Sequence, residues 1–363
     1  MSGPQQSSPI FPPNSSQSDA STTGRGSSLI GNDVGNRRRR LGWMFEAVCG
    51  GAAWSSLAML ALLLVSIVFL SWGRVNWEFL TSYDSSVNPA KAGVLAGLWG
   101  SFWLMLLIVG ISVPVGVGAA VYLEEYASNT WYTRLIRINL ANLAGVPSIV
   151  YGILGLTAFV RMFGLFDPNG FVSRMVGGNV DAIRLAGVKI PLPFGPAVLS
   201  GALTLSLLVL PVVIVASQEA LRAVPGSIRH ASLALGATRW QTIRHQVLPA
   251  SISGILTGVI LAVSRAVGET APLVMVGAAV FYRRTPGRIE SPMDVLQNPG
   301  GLVHAPFDDY TALPMTIYSW AKEPGADYQQ AAAAGIVVLL AGLLLMNGLA
   351  ITIRNRHESK GGH

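Results

Sequence analysis

Charge is scarce in this sequence: Asp, Glu, Lys and Arg together make up 12% of its 363 residues, whereas 51% are hydrophobic. Soluble domains carry about 25% charged residues. The deficit excludes an ordinary soluble globule and places the chain in a bilayer. Cysteine is almost absent, with Cys49 alone, so neither a disulfide framework nor a thiolate metal cluster is available. Cys49 precedes the first long apolar run, which does not fit a lipid anchor, and it reads as a small core or interface residue. His230, His245, His304, His357 and His363 lack tight metal-ligand spacing, so no metal site is expected. The Gly-x-x-x-x-Gly-Lys-Ser/Thr cradle for nucleotide phosphates is missing, as is any catalytic triad signature.

What is present is apolar sequence gathered into long runs. Crossing a bilayer takes about 20 apolar residues at about 1.5 Å each. Six stretches qualify: Ala52–Trp72, Ala92–Val121, Ile138–Val160, Ile190–Ser217, Ala250–Tyr282 and Ala331–Ile353. The pattern predicts an all-α integral membrane protein with about six transmembrane helices. Pro114-Val-Gly116 and Pro191-Leu-Pro193-Phe-Gly195 mark places where helices kink, begin or end. Residues 1–44 are expected to form a disordered basic tail, residues 45–354 the membrane domain and residues 355–363 a short C-terminal tail. The first apolar run is too long for a signal-peptide core and reads as a retained span. Arg37–Arg40 before it, with Arg354 and Arg356 after the last, put both termini in the cytoplasm. Residues 218–249 are then cytoplasmic, and 283–330 form an external cap. The net charge of +7 fits basic loops at a membrane rather than a nucleic-acid partner.

The segment 218–249 has the pattern of two short helices. Val224-Pro225 breaks the preceding helix, Ser227 is placed to cap the next, and Ile228, Ala231 and Leu235 share a face. Gly236 turns the chain; Trp240, Ile243 and Val247 then repeat one face of a second helix, which Leu248-Pro249 is expected to end. Such a pair fits either a groove on a soluble partner or the lipid headgroup layer.

Arg265 and Glu269 interrupt an otherwise uncharged run, where one charged residue at mid-helix costs about 2.5–3.5 kcal/mol. Their i, i+4 spacing puts them on one helical face, as a structural ion pair or as a polar patch on a substrate pathway. Guanidinium can hold an oxyanion bidentately. Gly268 suits close helix approach, and Pro272 suits a bend. Glu124-Glu125-Tyr126 reads as a solvated loop, and Asp308-Asp309 as solvent-facing or turn residues.

His230-Ala231-Ser232, Gly236 and Leu248-Pro249 resemble the Glu-Ala-Ala, Gly, Leu-Pro coupling loop of ABC importer permeases. His230 stands where that pattern has an acidic residue, and Gln246 where an aliphatic one is common. The stretch Gly254–Leu273, with Arg265-Ala-Val-Gly-Glu269-Thr-Ala-Pro272, and the stretch Asn142–Gly155 resemble the A-type permeases of phosphate-specific ABC importers; the similarity runs from about Ala52 to Arg354. It implies a type I importer permease fold in the bacterial inner membrane, with inorganic phosphate as cargo. It also implies Arg265 and Glu269 on the pathway, Gly268 and Pro272 as hinge, and His230, Ala231, Gly236, Leu248 and Pro249 coupling the chain to an ATPase. The implied partners are a sister C-type permease, cytoplasmic ATP-binding subunits using ATP and Mg, a periplasmic phosphate-binding protein and membrane lipid. The chain itself is then neither an enzyme nor a cofactor carrier. A sulfate or molybdate permease and a stand-alone ion-coupled transporter are the alternative readings.

Overall fold

The computed structural model describes residues 27–85, 88–128, 130–166, 170–176, 182–185, 188–278, 284–288, 294 and 299–358. Two compact units divide the chain at Leu64. The first holds the start of helix α1 (Ser27–Ser71). Residues 27–44, expected to be disordered, belong to this helix; they contain no proline, and arginine and leucine are good helix formers. Residues 1–26 lie outside the described residues. From Leu41 to Ser71 the helix is long and apolar enough to cross a membrane, and its residues are exposed almost throughout. Cys49 is exposed with them and is not a core residue.

Helices α2 (Leu95–Val121), α3 (Trp131–Leu143), α4 (Ser148–Gly155) and α5 (Val198–Arg222) follow. α6 (Gly226–Ala234), α7 (Arg239–Thr242), α8 (Leu248–Gly268) and α9 (Ala271–Val276) lead on to α10 (Leu313–Lys322) and α11 (Ala326–Glu358). Among the described residues, five helical stretches are long and apolar enough to span a bilayer, or six if the bent pair α3 and α4 is one span. That pair turns by 105°. The expected straight third span is therefore a broken one: Pro147 caps α4 and cannot continue α3. Tyr151 closes the bend by donating its hydroxyl to the Leu143 carbonyl at 2.8 Å, satisfying a group freed at the end of α3.

The fourth span begins at Val198 rather than Ile190, because 188–191 pair with 182–185 in a short antiparallel hairpin, Ala182 opposite Pro191 and Leu185 opposite Val188. Pro114 neither begins nor ends a helix but lies inside one, as does Pro211. Of residues 283–330, expected to be an external cap, the described part enters the core: Tyr310, Leu313 and Trp320 are fully buried. Trp320 also donates its indole N–H to Asp84 at 2.9 Å.

α5 is the axis of the second unit and packs against α2, α4 and α8. Two of its hydroxyls bond to backbone carbonyls, Ser200 to Gly195 just before the helix and Thr204 to Ser200, both at 2.7 Å, while those of Ser206 and Ser217 are buried without a partner among the described residues. Small residues let its neighbours approach. A Cβ on Gly116 of α2 would lie 2.7 Å from Val213, and one on Gly254 of α8 would lie 2.8 Å from Ala220. Gly258 meets Ala216 more closely still. Apolar side chains gain little by leaving lipid, so such close packing is what holds spans together.

Gly258→Val should therefore overpack the α5–α8 contact at a cost of about 1–3 kcal/mol. Gly110→Ala faces open space. Thermal unfolding of the purified protein in detergent should show a lowered midpoint for the first variant and an unchanged or slightly raised one for the second.

Candidate functional site

Arg265 sits in the last turn of α8, but Glu269 does not continue that helix. Its backbone is extended, with φ −79 and ψ 115, and it serves as the C-cap. The chain breaks at Glu269-Thr270 and restarts at Ala271 with Pro272 in the first turn of α9. The expected fifth span to Tyr282 thus ends at Gly268, and 279–283 lie outside the described residues. Pro272 initiates a new helix rather than bending an old one, as its missing N–H and fixed φ favour. Gly268 has open space around its would-be Cβ, so close packing does not explain a glycine there.

α9 is short but buried, with Leu273 and Val276 in the core. It lies on α4, where a Cβ on Gly152 would approach Pro272 Cα to 2.8 Å. Left-handed Gly277, φ +87, ends α9, and the Ala278 amide bonds back to the Leu273 carbonyl. The two broken elements, α4 and α9, therefore brace each other beside the Arg265–Glu269 turn.

The pair itself is loose. Arg265 Nε donates to Glu269 Oε1 at 3.4 Å, and the two side chains are 52% and 20% exposed. Exposed pairs contribute about 0–1 kcal/mol, too little for a structural lock. The terminal guanidinium nitrogens have no partner among the described residues. Leu261, Arg265 and Gly268 form an exposed stripe at i, i+4 and i+7 on α8. The fork thus opens away from the core, shaped for two parallel bonds to an oxyanion.

In the 218–249 segment the turn at Gly236, φ +84, stands as expected. α7 opens with a capping box, Thr238 and Gln241 exchanging bonds of 3.3 and 2.8 Å. Ser232 and Thr242 hydroxyls bond at 3.0 Å and tie the two short helices. Three details differ from expectation. Pro225, not Ser227, caps α6. Leu235 is 89% exposed because it leaves the helix at the C-cap, and Trp240 is exposed while Ile243 and Val247 are buried. Leu248-Pro249 do not end the helix: a five-residue π-turn, Ile243–Val247, leads directly into α8. The wider turn accommodates the proline ring, which would clash with the carbonyl four residues back in a regular α-helix. His230 and Ala231 are exposed on α6, and Leu248 is half-buried.

The carboxylates after α2 were expected to be solvated and are not. The π-turn Tyr122–Tyr126 places Glu124 against Arg222 at 2.9 and 3.1 Å and against Arg137 at 3.6 Å. Glu125, only 9% exposed, holds Arg229 at 3.0 and 2.7 Å. Adjacent residues on a helix diverge by about 100°, so each acid found a different arginine. The surplus of arginines in 218–249 was the available signal. Asp308 is half-buried and accepts the Gly287 amide at 2.8 Å, while Asp309 is exposed.

A family model, "Binding-protein-dependent transport system inner membrane component", matches residues 112–356. The chain is 30% identical over 291 residues to "Phosphate transport system permease protein PstA" of Yersinia pestis, covering 80% of this chain and 82% of that one. It is 32% identical over 221 residues to "Probable ABC transporter permease protein YqgI" of Bacillus subtilis (strain 168), covering 60% of this chain and 65% of the relative, so it spans just under two thirds of that protein's length. Its fold is similar to a chain of a bacterial ABC transporter involved in the import of the acidic polysaccharide alginate, with a TM-score of 0.55 at 15% identity, covering 88% of this chain and 98% of that chain.

A β-branched residue at Gly236 must adopt a left-handed conformation, at about 1–2 kcal/mol. Gly236→Val should speed limited proteolysis of the 218–249 segment in the purified protein, and Gly236→Asn, which tolerates that conformation, should restore most of the protection.

Proposed function

This chain belongs to the binding-protein-dependent transport system inner membrane components, and on that premise we propose that it is the membrane-spanning permease subunit of an ATP-driven importer that carries inorganic phosphate into the cytoplasm. The observation that carries the cargo is the half-exposed, loosely held Arg265 fork. The likeness to a phosphate permease supports it. Phosphate offers oxygen pairs that match two guanidinium N–H groups, and it competes with Glu269 for the same cation. Glu269 then keeps Arg265 oriented when the pathway is empty and repels the anion when the pair closes.

The helix from Arg239 to Gly268 is continuous over 30 residues, roughly 45 Å at 1.5 Å per residue. Its start lies in the 218–249 loop and its end carries Arg265. A tilt imposed at the loop reaches the pair without a hinge between, and the break at Glu269-Thr270 is where the change is absorbed. In this reading His230, Ala231 and Gly236, with exposed Leu233, Leu235 and Trp240, form the tip that meets the ATP-binding subunits. Leu248 and Pro249 join that tip to the lever. ATP and Mg are used by those subunits. A sister permease covers the stripe Leu261, Arg265 and Gly268, a periplasmic phosphate-binding protein delivers the cargo, and both termini are cytoplasmic.

Arg265→Ala should lower phosphate uptake by membranes at least tenfold while the complex still assembles; normal uptake would remove Arg265 from the pathway. In the unaltered protein excess sulfate or molybdate should leave phosphate uptake unchanged, and competition by either would reassign the cargo. Affinity purification followed by mass spectrometry should recover an ATPase subunit, and its consistent absence would sink the importer reading.

A further inference from the structure

The π-turn Tyr122–Tyr126 that ends the second span touches the 218–249 loop through successive side chains. Leu123 joins Leu221, Val224, Ile243 and Val247 in one buried cluster. Arg229, on α6, donates from Nε and Nη2 to Oε1 of Glu125, at 3.0 and 2.7 Å, and also to the carbonyls of Leu221 and Val224, at 2.8 and 2.7 Å. Those are groups that the end of α5 would otherwise leave bare. Arg239, the first residue of α7, lies over the Tyr126 ring at 5.6 Å. One guanidinium thus fastens α2, α5 and α6 together, and a second reaches from α7 to the same turn.

We infer that Glu125 and Arg229 are positioning residues that make the second span a second lever of the coupling loop, alongside the helix Arg239–Gly268. The argument rests on the permease reading above. The contrast with Arg265–Glu269 supports it: Glu125 and Arg229 are 9% and 22% exposed with a shortest contact of 2.7 Å, whereas Glu269 and Arg265 are 20% and 52% exposed with a contact of 3.4 Å. Breaking a buried pair leaves an uncompensated charge, so this joint stays closed through a cycle in which the looser pair opens. The outer half of α2 packs beside α8 and under Thr311 and Leu313. Movement of the loop therefore reaches both walls next to Arg265.

The measurement is the ratio of phosphate moved to ATP hydrolysed by the complete complex in proteoliposomes. That ratio does not depend on how much complex assembles. Glu125→Gln keeps the side-chain volume and leaves the two backbone bonds of Arg229 intact; it should lower the ratio roughly tenfold while ATP hydrolysis persists. Glu124→Gln, whose partners Arg222 and Arg137 lie on α5 and α3 rather than on α6, should change it less than twofold. Should Glu125→Gln not reach the membrane, Glu125→Asp, which keeps the charge but draws it back, is expected to lower the ratio as well. An unchanged ratio in the Glu125 variant overturns the joint, and so does an equal fall in both Gln variants. A wild-type complex that hydrolyses ATP but moves no phosphate overturns the importer reading on which the joint depends.

Discussion

Close packing of small residues around α5 is the contact on which the second unit rests. Gly116, Gly254 and Gly258 each admit a neighbour at a distance that a side chain would forbid. Hydrophobic burial supplies little drive inside a bilayer, so shape complementarity and satisfied polar groups must do what a soluble core does by excluding water. Ser200 and Thr204 meet the second requirement through nearby backbone carbonyls, without calling on another helix, whereas Ser206 and Ser217 stay buried without a partner among the described residues. With α5 fixed in this way, α2, α4 and α8 are set against it, and the broken elements α4 and α9 have something to lean on.

Charge is then distributed according to how much movement each place needs. At the loop end, Glu125 holds Arg229 at 2.7 Å with the two side chains 9% and 22% exposed. At the other end of α8, Arg265 and Glu269 share one long contact across a helix break. A buried pair resists separation because each lone charge is costly, whereas a half-exposed pair gives way to an anion with better geometry. In the reading proposed above, the first is the joint that holds and the second the one that opens. The continuous helix from Arg239 to Gly268 connects them.

Two of the three π-turns among the described residues fall where the loop is built. Ile243–Val247 lets the helix pass Pro249, and Tyr122–Tyr126 fans out four consecutive side chains toward different partners. A regular turn at either place would break the lever or misdirect an acid. Neither was legible beforehand, since a π-turn has no periodicity of its own and Leu-Pro reads as a stop. The same blindness explains the third span: Gly145-Val-Pro147 signals a break, but hydropathy alone runs straight through it.

Hydropathy and turn chemistry are local properties, and the sequence alone determined what depends on them: a membrane protein of about six spans, a two-helix loop turned at Gly236, and a charged pair inside an apolar run. Its resemblance to a permease family rested on those same local motifs. Pairing is not local. Arg222 lies 98 residues from Glu124, and Arg229 lies 104 from Glu125. No spacing rule reaches so far, so those acids looked solvated until the fold put an arginine beside each. Only the tertiary structure decided that Glu269 lies outside its helix, that Pro272 begins one, and that the Glu125–Arg229 pair is more enclosed than Arg265–Glu269, because each depends on what the surrounding helices leave exposed.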